Sequence, residues 1–382
     1  MTTVHPPIPL LDLKVLYERQ REALDAAIHR VLESQGFILG PEVAHFEREI
    51  AEWLGAGAEC AIGVANGSDA IVLVLRALGI GPGDHVVCPA YSFTSTATSI
   101  SLVGATPRFA DIEADSLNLD VEKAIEAVTP ETKALIVVHL YGRAANVPEL
   151  RRRLTAAGRG DITIIEDAAQ ALGSAVGDTV VGQLGDIMTT SFFPSKNLGC
   201  FGDGGLVFTT DTTVAERVRT LRAHGARQKY KAELVGQNSR LDAIQAAVLR
   251  VKLPALRGWC DERRANAAAY RVRFALYDWG DAVTLPPGDE GGVHHIYNQL
   301  NLQVRDRDGL VAHLNAHGIG SAVYYPHTLP DQPCYADLPS ASQSFPVSTR
   351  AAQRSLAIPV YPGLSVSDVD RVVTTIAQFY GV

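Results

Sequence analysis

The sequence predicts an α/β protein with a large domain on a mostly parallel seven-stranded sheet and a smaller C-terminal α/β domain. Three observations lead there. From about residue 60 to residue 210, short runs of apolar and β-branched residues alternate with segments of helical periodicity. The short runs are continuously apolar, the pattern of parallel strands covered by helices on both faces. A Pro/Gly-rich stretch at 285–292 then precedes a second, shorter set of elements. At 382 residues the chain is long enough for two cores. The expected division is 1–254 and 255–382.

In chain order, apolar residues recur at helical spacing from about 15 to 35 and stop near Gly36. A second helix fits 41–54, with Pro41 in its first turn and Gly55 past its end. Strands are expected at 60–65, 84–88, 106–110, 134–139, 162–166, 188–193 and 205–209. Helices are expected at 68–79, 92–103, 120–128, 147–157 and 212–223. A long helical region opens at Leu241, and Pro254 should bend or break it. Beyond 285–292 the pattern gives a strand at 295–304, a helix at 306–317, a strand at 319–325, and helices near 348–356 and 366–379.

Composition bounds the function. The chain is 47% apolar and 20% charged, with a net charge of −8. That balance and a pI near 5.8 argue against a nucleic-acid footprint. No segment has the length and purity of a transmembrane helix, and residues 1–13 lack the basic and apolar regions of a secretory signal. Five scattered cysteines without a CxxC suggest neither zinc nor a disulfide framework. The expectation is a cytoplasmic protein with no membrane or nucleic-acid partner.

The chemistry concentrates in Ser191-Phe192-Phe193-Pro194-Ser195-Lys196, a loop that returns through Gly202-Asp203-Gly204-Gly205. Lysine is the residue that holds an aldehyde cofactor as a Schiff base. Most lysines are solvated surface charges, so Lys196 gains its meaning from a segment 29 residues upstream. There the strand 162–166 runs into Glu166-Asp167-Ala168-Ala169-Gln170. A strand's carboxyl end opens into a crevice in such sheets. Pyridoxal phosphate needs a carboxylate to keep its pyridine nitrogen protonated. Asp167 either fills that role or caps the next helix.

Asn66-Gly67-Ser68-Asp69-Ala70 follows a strand and opens a helix, whose free amides and dipole suit a phosphate. The plain alternative is an ordinary helix cap. Phe93, after the strand at 84–88, either lies against a flat ring or packs in the core. Ser191 is either a phosphate ligand or a solvated loop edge. Asn238 and Arg240, ahead of the long helix, either contact an anion or cap and salt-bridge. Tyr324 and Tyr325, at the end of the expected strand 319–325, either line a substrate pocket or form a half-buried turn. The other glycine clusters follow helices or lead into strands, the wrong order for a dinucleotide fingerprint, and there is no P-loop.

These segments, in this order, resemble the DegT/DnrJ/EryC1/StrS family of sugar aminotransferases. The similarity runs from the helix before Gly36 to Ser355–Pro362. Each motif alone is weak, and jointly they are specific. The resemblance implies the aspartate-aminotransferase type of fold (PLP fold type I), pyridoxal 5′-phosphate as cofactor, and a homodimer with shared active sites. By matching positions, Lys196 would hold the cofactor and then carry the proton. Asp167 would pair with the pyridinium nitrogen, Gln170 would bond near the phenolic oxygen, and Phe93 would stack on the ring. Gly67, Ser68 and Ser191 would bind the phosphate, joined by the partner subunit's Asn238. Arg240 and Tyr325 would face the sugar or the amino donor's carboxylate.

The resemblance also implies a reaction: transfer of an amine from L-glutamate to a nucleotide-linked keto sugar. Family members with histidine at the lysine position are dehydratases, and Lys196 argues against that branch. Phe-Phe-Pro-Ser-Lys together with Asn-Ser-Arg-Leu-Asp is most similar to members that aminate C3 of UDP- or dTDP-linked 3-oxo sugars. A group acting on a 3-oxo-glucuronate tends to carry His-Tyr-Pro where this chain has Tyr324-Tyr325-Pro326. The alternatives are a 4-oxo sugar substrate, another reaction of the same cofactor such as dehydration, or a cofactor-binding regulator without turnover.

Overall fold

The computed structural model describes residues 6–338 and 343–382. Its centre is a seven-stranded sheet in the spatial order Ala61–Val64, Gly205–Phe208, Ile187–Ser191, Thr163–Asp167, Thr132–Val138, His85–Pro89, Thr106–Ala110. Only Gly205–Phe208 runs antiparallel to its neighbours. All seven expected strands are present, with ends shifted by two residues or fewer.

Side-chain alternation explains why these runs are apolar throughout. Cys88, Ile136 and Ile165 face a core shared with the helix Gly67–Ala77. Val87, Leu135 and Ile164 face the opposite core, under the helix Val147–Ala156. Both faces are buried, so neither position can be polar without a partner.

The helices Leu13–Ser34 and Pro41–Trp53 lie at the expected positions. Asp12 caps the first by accepting from Lys14 N at 2.9 Å, and Pro41 begins the second. The long helix starts at Ala243 rather than Leu241 and ends at Lys252. Pro254 breaks it with a single 3₁₀ turn, Leu253–Ala255, before Leu256–Phe274 resumes. Among the described residues no helix is long and apolar enough to cross a membrane.

A second, antiparallel sheet joins Val283–Thr284, Leu300–Val304 and Ser355–Ile358. Its core gathers Tyr270, Phe274, Leu302, Leu356 and Ile376, together with Ile8 from the far end of the chain.

Three expectations need correction here. The strand expected at 295–304 begins only at Leu300. Before it, Tyr297 adopts a left-handed φ of 48°, and Ile296 N bonds Gly142 O at 3.0 Å, so the segment is tied to the large sheet's loops instead. The strand expected at 319–325 reduces to isolated bridges, Ile8 with Ile319 and Ala322 with Ala357. Tyr324 and Tyr325 therefore follow no strand. The helix expected at 348–356 spans Pro346–Arg354, because Asp111 accepts from Val347 N at 3.0 Å and Ser348 N at 2.9 Å at its first turn. The apolar Ser355–Ile358 leaves it to pair with Leu300–Gln303.

Candidate active site

The carboxyl ends of the parallel strands open onto a cavity of about 460 Å³. Segments that follow four different strands and the start of the helix Gly67–Ala77 converge there. Of the residues singled out in the sequence, Gly67, Ser68, Phe93, Asp167, Gln170, Ser191, Lys196, Tyr324 and Tyr325 all line it.

Asp167 is the last residue of its strand and shares the parity of Ile165, which turns its carboxylate into the cavity. The cap reading fails, because no helix follows Asp167; its Oδ1 instead closes a local turn by accepting from Ala169 N at 3.1 Å. Thr96 Oγ1 lies 3.5 Å from Oδ2. Burial pushes the Asp167 carboxyl up, opposed by the Ala169 amide and by Lys196. Lys196 stands in the loop after Ile187–Ser191, and desolvation lowers its ammonium's pKa against the pull of Asp167. Each group thus stabilises the charged form of the other in a site that disfavours charge.

The floor of the cavity is a close approach of three backbones. Gly67 begins its helix directly against the end of the strand at Ser191, where a Cβ on Gly67 would stand 2.8 Å from Ser191 Cβ. Asn66 caps this helix, accepting from Asp69 N at 2.8 Å. Ser68 Oγ accepts from Ser95 Oγ at 2.6 Å, and Ser191 Oγ accepts from Phe193 N at 3.2 Å. A helix N-terminus with two hydroxyls and no side chain at Gly67 fits a phosphate.

At the other end, Gln170 is fixed at both amide atoms. Its Oε1 accepts from Tyr141 N at 2.6 Å and its Nε2 donates to the Tyr325 hydroxyl at 3.2 Å. Phe93 is 56% exposed, in the turn before the helix Ser95–Leu102, with its ring 5.9 Å from that of Tyr325. That exposure decides against core packing for Phe93. These aromatics, the helix start at Gly67 and Lys196 line one cavity, with Asp167 as its buried acid. The residues present therefore fit pyridoxal phosphate.

Asn238 and Arg240 lie outside the cavity of their own chain. Asn238 is exposed and bridges Ala223, while Arg240 bridges Val64.

Sequence reasoning missed several contributors. Ser95 and Gln299 line the cavity with nothing in their local sequence to mark them. Glu166, one residue before Asp167, points the opposite way and is fully buried. Its carboxylate accepts from Gly182, Leu184 and Gly185 amides at 3.1, 3.1 and 2.7 Å, and from His139 Nε2 at 2.9 Å. His139 Nδ1 accepts from Ala145 N at 3.0 Å, which leaves Nε2 as the protonated nitrogen. Cys200, near Lys196, packs as a buried thiol that burial pushes up to about 11.

Fold and cavity together are those of a pyridoxal-phosphate-dependent aminotransferase of fold type I. Residues 18–377 match the model of the DegT/DnrJ/EryC1/StrS aminotransferase family, and the chain belongs to it. It is 41% identical over 373 residues to the "pleiotropic regulatory protein" of Geobacillus stearothermophilus, covering 98% of each chain. It is also 41% identical over 375 residues to dTDP-3-amino-3,4,6-trideoxy-alpha-D-glucose transaminase of Streptomyces venezuelae, covering 98% of this chain and 96% of that one. The solved structure of S. venezuelae DesV superposes with a TM-score of 0.91 at 40% identity, covering 98% of this chain and 99% of DesV.

Proposed function

We propose that this enzyme moves an amine from L-glutamate to C3 of a nucleotide-linked 3-oxo sugar, on a dTDP or UDP carrier. The observation that carries the reading is the single cavity in which Lys196, Asp167, Gln170 and the Gly67–Ser68 helix start meet. The similarity to a transaminase that forms a dTDP-3-amino sugar supports C3 over C4. When bound, pyridoxal phosphate supplies a carbonyl for the amine and a sink for the electrons at the donor's Cα.

The residues do the rest. Lys196 would hold the cofactor, and its Nζ would be the base that takes and returns the donor's Cα proton. Desolvation favours the neutral amine that this work requires. Asp167 would keep the ring nitrogen protonated, and its burial would place that ion pair in a low-dielectric setting where the attraction is stronger than in water. Gln170 fixes the ring's phenolic edge, and Phe93 covers one face. Gly67, Ser68 and Ser191 bind the phosphate with the partner subunit's Asn238. Arg240 and Tyr325 face the sugar or the donor carboxylate, with Tyr324 beside them. In this reading the protein is a cytoplasmic homodimer, in which the exposed Asn238 and the half-buried Arg240, both outside their own chain's cavity, serve the site of a second copy. The division into 1–254 and 255–382 belongs to the same reading.

Mixing the holoenzyme with L-glutamate alone tests the first half. The Schiff-base absorbance should vanish with release of one equivalent of 2-oxoglutarate per site. A panel of dTDP- and UDP-linked 3-oxo and 4-oxo sugars, read by product NMR, tests the second. Amination at C4 only would sink the C3 assignment. The name of the Geobacillus relative favours a second reading, a regulator that binds the cofactor without turnover. Absence of the half-reaction with every amino donor would select it.

A further inference from the structure

Tyr91 lies two residues before Phe93 but points away from the cavity, with 1% of its surface exposed. Its hydroxyl donates to Tyr324 O at 2.7 Å and accepts from Tyr325 N at 2.7 Å. One phenol therefore satisfies both polar groups of one peptide unit. Tyr141, also buried, donates to the same Tyr324 carbonyl and stands 3.3 Å from the Tyr91 hydroxyl. The peptide these phenols grip lies in no helix or strand, so its polar groups have no ladder to satisfy them.

The grip reaches the cavity. The Tyr325 ring lies edge-on to Tyr91, 6.2 Å between centroids, and its hydroxyl meets Gln170 Nε2. Gln170 is in turn fixed by the backbone amide of Tyr141. Tyr91, Tyr141, Gln170 and Tyr325 thus close a loop of contacts between the large sheet and the cavity wall.

We propose that Tyr91 is a positioning residue for amination, holding the Tyr325 hydroxyl in register through the Tyr324–Tyr325 backbone, with Tyr141 as its buttress. This rests on the reading of Tyr325 as substrate-facing. Burial pushes both phenols up, so they remain donors across the working pH range.

The test is a double-mutant cycle on the holoenzyme, with kcat/KM measured for a dTDP-linked 3-oxo sugar. Tyr91→Phe should lower kcat/KM about tenfold, the scale of one lost hydrogen bond. In a Tyr325→Phe background the same change should cost less than about threefold, because its effect runs through the missing hydroxyl. Equal losses in both backgrounds would overturn the proposal and leave Tyr325's role intact. A Tyr325→Phe enzyme with full kcat/KM would overturn the role of Tyr325 and the proposal with it. Tyr141→Phe removes one donor and keeps the Tyr91 grip, so it serves where Tyr91→Phe does not fold. It should show a smaller loss, again confined to the enzyme with Tyr325 intact, and additivity there would count equally against the proposal.

Discussion

Gly67→Ala probes the tightest point of the cofactor floor. The added Cβ would stand 2.8 Å from Ser191 Cβ, 3.3 Å from its Cα and 3.4 Å from its Oγ. Carbon atoms meet comfortably at about 3.5–4.0 Å, so the two segments must part by more than half an ångström or so. Ser191 cannot simply retreat, because it pairs with Gly205 in the sheet. Gly205 is blocked as well, since its own Cβ would lie 2.5 Å from Asn66 C and O. Overpacking of this kind costs about 1–3 kcal/mol. Alanine recovers at most about 1 kcal/mol as a better helix former, and less at a first helical position, so the steric cost wins. The displacement falls on the amides that meet the phosphate. We therefore expect the variant to bind pyridoxal phosphate at least about tenfold more weakly, a loss of about 1.4 kcal/mol. Titration of apoenzyme with cofactor, followed by absorbance and by thermal melting, measures both effects. Adding Ser191→Gly removes the facing Cβ and should restore the melting temperature more than the affinity, because the Ser191 hydroxyl is also gone. Unchanged affinity and melting in Gly67→Ala would refute the close-packing argument.

Lys196→Ala should retain some cofactor affinity through the phosphate and Asp167 contacts but lose turnover, and near-normal transaminase rates would show that another group carries the proton. Asp167→Asn removes the acid at the ring nitrogen and should slow the glutamate half-reaction by about a hundredfold or more, the scale of one lost preorganised electrostatic partner; stopped-flow absorbance decides it. Glu166→Gln places an amide donor against the Gly182 N–H or the Leu184 and Gly185 amides, so a destabilisation of about 3 kcal/mol is expected in urea unfolding. Lys252 donates to Gly199 O at 2.6 Å beside the Phe201 ring, and burial lowers its ammonium from 10.5 to about 8. Between those values the unfolded chain holds a proton the folded one has released, so wild-type stability should rise with pH relative to Lys252→Met, by up to about 3 kcal/mol. A stability difference independent of pH would contradict that burial effect.

Continuous apolar runs made the seven-stranded sheet legible, because strands buried on both faces tolerate little else. The small sheet was harder. Residues 295–299 look extended in sequence, yet Tyr297 turns left-handed and the segment bonds to the loop after the strand Thr132–Val138. That pairing depends on residues about 150 positions away, which local periodicity does not carry. The site followed the same rule. Asp167 and Gly67 were legible because they sit at a strand end and a helix start that the pattern itself marks, and Lys196 because it lies in the short loop just past such a strand end. Gln299 and Ser95 were not, because only the packing of distant segments brings them to the cavity.

Glu166 and Asp167 show how one strand end serves two purposes. Adjacent residues on a strand face opposite sides, so two neighbouring acids cannot both enter the cavity. Asp167 takes the cavity side, where burial and Lys196 set its charge. Glu166 takes the other, binding the three amides of the turn that leads into the strand Ile187–Ser191. That strand carries Ser191 at its end and the Lys196 loop beyond. The His139 amide, in turn, donates to the Asp167 carbonyl at 3.1 Å while the His139 ring bonds Glu166. The acid that would meet the cofactor and the loop that carries its lysine are thus referenced to the same strand end from opposite faces. Displacing Glu166 should therefore disturb the Lys196–Asp167 geometry as well as stability, although Glu166 never reaches the cavity.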